Sequence, residues 1–400
     1  SIYENVFEVM PSETIEICKY NKILKKKYFS LNLDNKNEEL NFFEFKEKIS
    51  NSLEDSVKKM MIADVEVGCF LSGGVDSSLI AYLMQKNSKK KIKTFTVGFQ
   101  EKQYDETSYA KSISEQIGSN HFELKINSSD LFENIESLVE MFDEPFSDSS
   151  FIPTFLISKF ASKKVKVVLS GDGGDEIFMG YNRYVFAKKI FKLRKIFPNF
   201  FRLFLSNFLD IIPKNFFDSL SVPFQKTFGI HGLSHKVQKF SNTLNFNNNS
   251  DFYLKLNVFD NEIIKKRSKY EKQIFKNFDK IPLTESVQAN DINFYLQNDI
   301  LVKVDRSSMI NSLEVRSPFL DHNLVDQAFT IPSSFKLKNN YSKFILKDLL
   351  NDFSPQCKPF RPKMGFAIPI EKWIEEKKIK KKINEIFFES DWNRLGYDNH

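Results

Sequence analysis

Two short runs carry residue types suited to handling phosphate and divalent cations. Ser72-Gly73-Gly74-Val75-Asp76-Ser77-Ser78 follows an apolar stretch and opens a helical pattern. Glycines let backbone N–H groups approach phosphate oxygens, and hydroxyls with a helix N-terminus add donors and positive potential. Asp76 would repel a bare phosphate, so it makes sense as a ligand for Mg²⁺ bridging phosphate oxygens. Gly68 and Gly73 have the glycine spacing of a Walker loop, but Gly74 replaces the lysine, and that loop is excluded. The second run, Leu169-Ser-Gly-Asp-Gly-Gly-Asp-Glu-Ile-Phe178, sets Asp172, Asp175 and Glu176 among three glycines. Carboxylates so close repel one another unless a cation removes the conflict.

Both runs fall where strands end. Residues 65–71, 94–99, 121–126 and 165–169 read as strands. Helical patterns stand between them: one with Leu79, Ile80, Leu83 and Met84 on a single face, one over 105–117 closed by Gly118, and one over 130–142. Such alternation implies βαβ units on a parallel sheet, whose ligands sit at the carboxyl ends of strands. Ahead of this, residues 1–40 read as short extended pieces with a polar hinge at 34–37, and a helix runs from about 42 to 61. Beyond Tyr184, residues 186–280 are rich in Phe, Lys and Asn and read as helices with polar loops, 245–250 being the exposed one.

The first run resembles the pyrophosphate-binding loop of the N-type ATP pyrophosphatases, a group that includes asparagine, GMP, NAD and argininosuccinate synthetases and tRNA-thiolating enzymes. The second resembles the second signature of the asparagine synthetases. Asp299-Ile-Leu-Val-Lys-Val-Asp305, Leu313-Glu-Val-Arg316, Asp321-His322, Ser342-Lys343 and Arg361-Pro-Lys363-Met-Gly-Phe366 continue the likeness, which covers most of residues 41–375. It implies an adenine nucleotide alpha hydrolase-like α/β fold: a tail and linker over 1–40, an ATP pyrophosphatase core over 41–185, and a mostly helical part over 186–400. The activity it implies is a carbon–nitrogen ligase using ATP and Mg²⁺. Aspartate's side-chain carboxylate attacks the α-phosphate, giving β-aspartyl-AMP and pyrophosphate, and ammonia then expels AMP. By position, Leu71, Ser72, Gly73, Gly74, Asp76, Ser77, Val97, Ser170 and Gly171 would bind ATP. Asp76 and Asp175 would hold Mg²⁺, Lys343 would neutralise the departing phosphates, and Asp172 would take a proton from ammonia. Many relatives carry Glu where Asp172 stands, one methylene longer.

Full-length relatives begin with a glutaminase domain whose nucleophile is an N-terminal cysteine. Here residue 1 is Ser, no Cys precedes Cys18, and 2–11 resembles the end of that domain. The sequence therefore reads as a chain lacking its ammonia-generating part. It is expected to use aspartate and ammonium, or ammonia from a separate glutaminase part, and homodimerisation fits as well. Two other readings remain: amidation of another carboxylate, such as a sugar uronate or peptide side chain, and an inactive binding module. The second has no need of Asp76, Asp172 and Asp175.

Composition narrows the classes. Gly and Pro total 26 of 400 residues, about half the usual ~12%. With 41% hydrophobic residues and 43 Phe, the chain can bury a large core, which excludes low-complexity and disordered readings. A net charge of +6 suits a polyanion such as ATP and does not argue for nucleic acid. Three scattered cysteines without C-x-x-C exclude a disulfide scaffold and a zinc ribbon. No apolar run approaches a membrane span, so a cytoplasmic location is expected. His121, His231, His235, His322 and His400 lack ligand spacing and read as structural or surface residues. The Lys89–Lys93 cluster reads as a solvated helix end, and Arg316 and Asp321 as supports of the site wall.

Overall fold

Four β-rich runs and one late, three-residue run share a single parallel sheet in the order β5-β4-β3-β6-β7. The strands are β3 (Val67–Phe70), β4 (Lys93–Phe99), β5 (Asn120–Ile126), β6 (Val167–Leu169) and β7 (Glu314–Arg316); a separate antiparallel hairpin, β1 (Glu13–Ile17) with β2 (Ile23–Lys27), precedes them. The computed structural model describes residues 3–18, 23–31, 33, 39–101, 103–130, 134, 138, 141–213, 216–217, 233–257, 278–361 and 368–385. The hinge expected at 34–37, His231, His400 and the 363–366 end of the last motif lie outside these residues. So does most of the helix expected over 130–142, although 128–130, 134 and 138 are helical.

The register joins Cys69 to Thr94 on one side and to Leu169 on the other, so β3 is flanked by β4 and β6. From β3 the chain builds outward through β4 to β5, then returns to lay β6 on the opposite side of β3. Connections leaving neighbouring strands in opposite directions open a crevice at their carboxyl ends, the usual ligand position of such sheets. The loops leaving β3 and β6 are the two runs singled out above.

Helices cover both faces, as parallel strands require. Helix α1 (Phe42–Met60) starts at a capping box: the Phe43 and Glu44 N–H groups donate to Asn41 Oδ1, and Asn41 N–H donates to Glu44 Oε2 at 2.7 Å. Its Phe45, Ile49, Leu53 and Val57 pack with Leu79, Ile80 and Leu83 of α2 (Val75–Lys86) and with Leu169. Helix α3 (Thr107–Ile117) ends at Gly118 with φ +71°, adding Ala110 and Ile113 to this layer. On the other face, Ile152, Phe155 and Leu156 of α4 (Phe151–Ala161) pack on Phe95, Val97 and Val168. Val168 and Leu169 thus serve opposite layers, the period of two expected of a strand.

The remaining part is mostly helical: α5 (Asn182–Ile196), α6 (Asn199–Ile211), α7 (Leu233–Leu244), α8 (Asn249–Asn257) and α9 (Leu283–Asn290). Helix α9 runs through a wider π-helical segment, Asp291–Ile300, into α10 (Leu301–Met309). Two further helices, α11 (His322–Thr330) and α12 (Phe344–Phe353), follow β7. Arg316 donates to the Met60 and Ile62 carbonyls at 2.8 Å each, and Asp321 caps α11 by accepting from Asn323 N–H. No helix among the described residues is long and apolar enough to cross a membrane.

Candidate active site

The loops after β3 and β6 meet face to face at the switch point. A Cβ on Gly171 would lie 2.9 Å from Asp76 Cβ and from Ser77 N, and one on Gly174 would lie 2.7 Å from Asp76 Oδ1. Only glycine permits that approach. Each loop is tied to a neighbouring strand: Leu71 N–H donates to the Phe95 carbonyl at 2.8 Å, and Ser170 N–H to the Arg316 carbonyl at 2.9 Å.

Lys343 closes the junction. It precedes α12 with a left-handed backbone, φ +50°, a strained conformation for a non-glycine residue. Its ammonium pairs with Asp76 and, at 2.7 Å, with Asp175 Oδ1. Burial works against the charge, but the two carboxylates outweigh it and hold the pKa of Lys343 above its ordinary value. Two acids from different loops are thus drawn onto one cation.

The cavity around this junction has a volume of about 600 Å³. Leu71, Ser72, Gly73, Gly74, Asp76, Ser77, Val97, Ser170, Gly171, Asp172, Asp175 and Lys343 all line it. Asp172 is pushed up mainly by burial, helped by Asp175, against the Ser170 hydroxyl and the charges of Lys303 and Lys343. A carboxylate in that setting is a better proton acceptor than an exposed one.

Sequence reasoning missed the far wall. Lys303 of α10 donates to Asp148 Oδ2 at 2.7 Å and to Ser150 Oγ at 2.8 Å, and all three line the cavity. Burial raises the Asp148 pKa, yet Lys303 and Ser150 bring it below the usual range. Asp299, beside it, is pushed up to about 6 by burial and by the Asp148 charge. Tyr181 and Tyr295, also in the wall, each hold the Arg183 guanidinium 4.4 Å from the ring centre, and Arg183 pairs with buried Asp291 at 3.0 Å. The Asp299–Asp305 motif marked this stretch without giving Lys303 a role, and Asp148 and Ser150 carried no signal of their own.

Glu176 gives a prediction about stability. Burial, with the neighbouring Asp175 charge, raises its pKa from 4.5 to about 7, and Tyr181 donates to Oε1 at 2.5 Å. The folded state then binds this proton more tightly than the unfolded state between those two values. Stability therefore falls as pH rises through that window, by roughly 3 kcal/mol at 1.36 kcal/mol per pKa unit. Glu176→Gln keeps an acceptor for Tyr181 and loses the titration. In urea unfolding without divalent ions, the variant should be the more stable protein at pH 8 and show the flatter profile from pH 4.5. Parallel profiles would contradict the burial argument.

The asparagine synthase family model matches residues 48–399. The chain belongs to the asparagine synthase family. The region shared with that family contains both loops, β7 and Lys343. Asparagine synthetase [glutamine-hydrolyzing] 1 of Bacillus subtilis is 31% identical over 339 residues, 82% of this chain and 50% of that protein. A putative asparagine synthetase [glutamine-hydrolyzing] 2 of Methanocaldococcus jannaschii is 33% identical over 316 residues, 78% of this chain and 58% of that protein. The chain thus spans about half the length of the curated relatives it matches. Among solved structures, an NH3-dependent NAD synthetase from Campylobacter jejuni is similar over 36% of this chain and 61% of that one, at 17% identity and a TM-score of 0.25.

Proposed function

We propose that this site activates the side-chain carboxylate of aspartate with ATP and transfers the acyl group to ammonia, giving asparagine, AMP and pyrophosphate. The observation that carries the reading is the convergence of Asp76, Asp175 and Lys343 at one junction between two glycine loops. Membership of the asparagine synthase family supports the choice of reaction, and Bacillus subtilis asparagine synthetase 1 supports aspartate as acceptor.

A carboxylate is a poor acyl donor because oxide is a poor leaving group; joining it to AMP corrects this. Leu71 and Val97 are buried and apolar and line the cavity beside the first loop, where a purine would lose water. Ser72, Gly73, Gly74 and Ser77 supply donors for the phosphates, with the N-terminus of α2 behind them. Lys343 keeps its proton, so it meets the negative charge that grows on the departing pyrophosphate. Asp172 then takes a proton from the attacking nitrogen, its basicity raised by burial.

Mg²⁺ fits the donor set. Asp76 and Asp175 are hard oxygen ligands already gathered on one cation, and would hold the ion, which when bound neutralises phosphate oxygens. Among the described residues no group of three or more His, Cys, Asp or Glu is placed to hold a metal, so phosphate and water would complete the shell.

ATP–pyrophosphate exchange with a panel of carboxylates, aspartate first, is the direct test. Exchange that depends on aspartate is expected. Exchange with a uronate or a peptide carboxylate alone would move the chain to a sister reaction, and exchange with none would sink the enzyme reading.

A further inference from the structure

A side chain far along the sequence grips the first loop from the wall of the same cavity. Arg361 Nη2 donates to the Gly73 carbonyl oxygen at 3.0 Å and to Glu106 Oε1 at 3.3 Å, and Nη1 reaches the same Glu106 oxygen at 3.3 Å. Its guanidinium carbon stands 3.7 Å from the centre of the Tyr109 ring. The Arg361 and Glu106 side chains are only 16% and 14% exposed. Tyr109 and Ala110 also abut the loop: a Cβ on Gly73, whose φ is +75°, would lie 2.7 Å from Tyr109 Cβ and from Ala110 N. Loop, α3 and the 361 segment therefore meet at one point.

We infer that Arg361 is a positioning residue that fixes the plane of the Gly73–Gly74 peptide, and with it the phosphate-facing donors of the loop. A trans peptide is rigid, so holding its oxygen also sets the direction of the N–H at its other end. That N–H belongs to Gly74 and donates to Ser72 Oγ at 3.2 Å. Ser72 Oγ lies 3.1 Å from Ser77 Oγ, which accepts from Ser72 N–H at 3.2 Å and donates to the Gly74 carbonyl at 3.3 Å. The serines close the loop on itself, and Arg361 ties the Gly73 carbonyl to the rest of the molecule. Two adjacent glycines leave a backbone with unusual freedom, and an orientation useful for binding must be imposed on it.

The guanidinium suits this task in a way lysine does not. It offers a planar fork that serves a carbonyl and a carboxylate together while stacking on an aromatic face. Burying an arginine carries a desolvation cost, which the Glu106 pair, the Gly73 hydrogen bond and the Tyr109 ring offset here. Arg361 lines the same cavity, but both Nη atoms of its guanidinium are engaged by Glu106 and the Gly73 carbonyl, so it acts through the loop.

The inference rests on reading the loop as a phosphate site, and the test separates the two. The parent chain, Arg361→Ala and Arg361→Lys are compared by amide hydrogen exchange and by calorimetric binding of ATP and of adenosine at fixed Mg²⁺. In Arg361→Ala, exchange at Gly73–Ser77 should rise by about tenfold or more, a charge-assisted hydrogen bond having been lost, while β3 and the second half of α2 stay unchanged. ATP affinity should fall about tenfold with adenosine affinity unaltered, since only phosphate contacts depend on the loop. Arg361→Lys should keep the fast loop exchange and regain only part of the ATP affinity.

Unchanged loop exchange in Arg361→Ala would overturn the inference. Equal losses for ATP and adenosine would do the same by showing a general change of fold. Full recovery in Arg361→Lys would make the residue a point charge rather than a clamp. If the parent binds neither ligand, the phosphate-site reading fails, and the exchange data still decide whether Arg361 holds the loop.

Discussion

Replacing Lys343 with alanine is expected to abolish pyrophosphate release from ATP and to destabilise the protein in the absence of divalent ions, with Mg²⁺ restoring much of the lost stability. The buried ammonium joins Asp76 to Asp175, and its removal takes away the cation that the two carboxylates share. Breaking a buried pair this way costs about 3–5 kcal/mol. A divalent ion that binds only the folded state then adds stability in proportion to the logarithm of its concentration over Kd. Thermal unfolding across a Mg²⁺ series should therefore rise more steeply for Lys343→Ala than for the parent, while ATP–pyrophosphate exchange stays at background. A variant with parental turnover would remove Lys343 from the chemistry. A variant indifferent to Mg²⁺ would argue that the two acids are not a cation site.

The second large effect comes from a single methyl group. Gly171→Ala places a Cβ 2.9 Å from Asp76 Cβ and the Ser77 backbone nitrogen, neither of which a side-chain rotation can move. The loops must separate, at a cost of about 1–3 kcal/mol for overpacking. Because Asp76 and Asp175 then no longer share one cation, exchange activity should fall by at least about 10²-fold, the scale of loss from misplacement of roughly 1 Å. Gly118→Ala is the control: its φ is +71°, but nothing lies within 4 Å of the added carbon. That variant should lose a little stability and keep its activity. Parental exchange in Gly171→Ala would show that the two loops need not touch.

The contrast between what was legible in the sequence and what was not follows from range. The β3 and β6 loops announce themselves because glycines, hydroxyls and acids are crowded after apolar strands, and every site residue named from them lines one cavity. The first four strands of the sheet were legible for the same reason, each being a β-rich run bounded by turn residues. Strand β7 was not. Glu314, Val315 and Arg316 are too few to show a period, and its charged ends suit a sheet edge. Helix α4 was missed because its face is apolar almost all round, Ile152 to Ile157 being buried without a break, so no amphipathic stripe marks it. The π-helical turn over Asp291–Ile300 has no sequence signature either, and with it went the placement of Tyr295, Asp299 and Lys303. The far wall of the cavity is made of long-range pairs such as Lys303 with Asp148, and a single sequence does not display those.

The position of β7 also sets a timetable for synthesis. β6 pairs on its outer side with a strand that begins at Glu314, and the Ser170 and Ser317 hydroxyls that meet at 3.2 Å are 147 residues apart. At about 5–20 residues per second, a ribosome needs on the order of 10 s to cross that interval. Throughout it, the nascent chain carries an open edge on β6, with the bare backbone groups that invite pairing with other chains. Lys343 emerges later still, so Asp76 and Asp175 gain the cation they share only after β7 has been made. Substitutions within residues 186–300 that slow folding of the helical part would lengthen this interval. They would lower the yield of protein in cells while leaving the turnover of each correctly folded molecule unchanged.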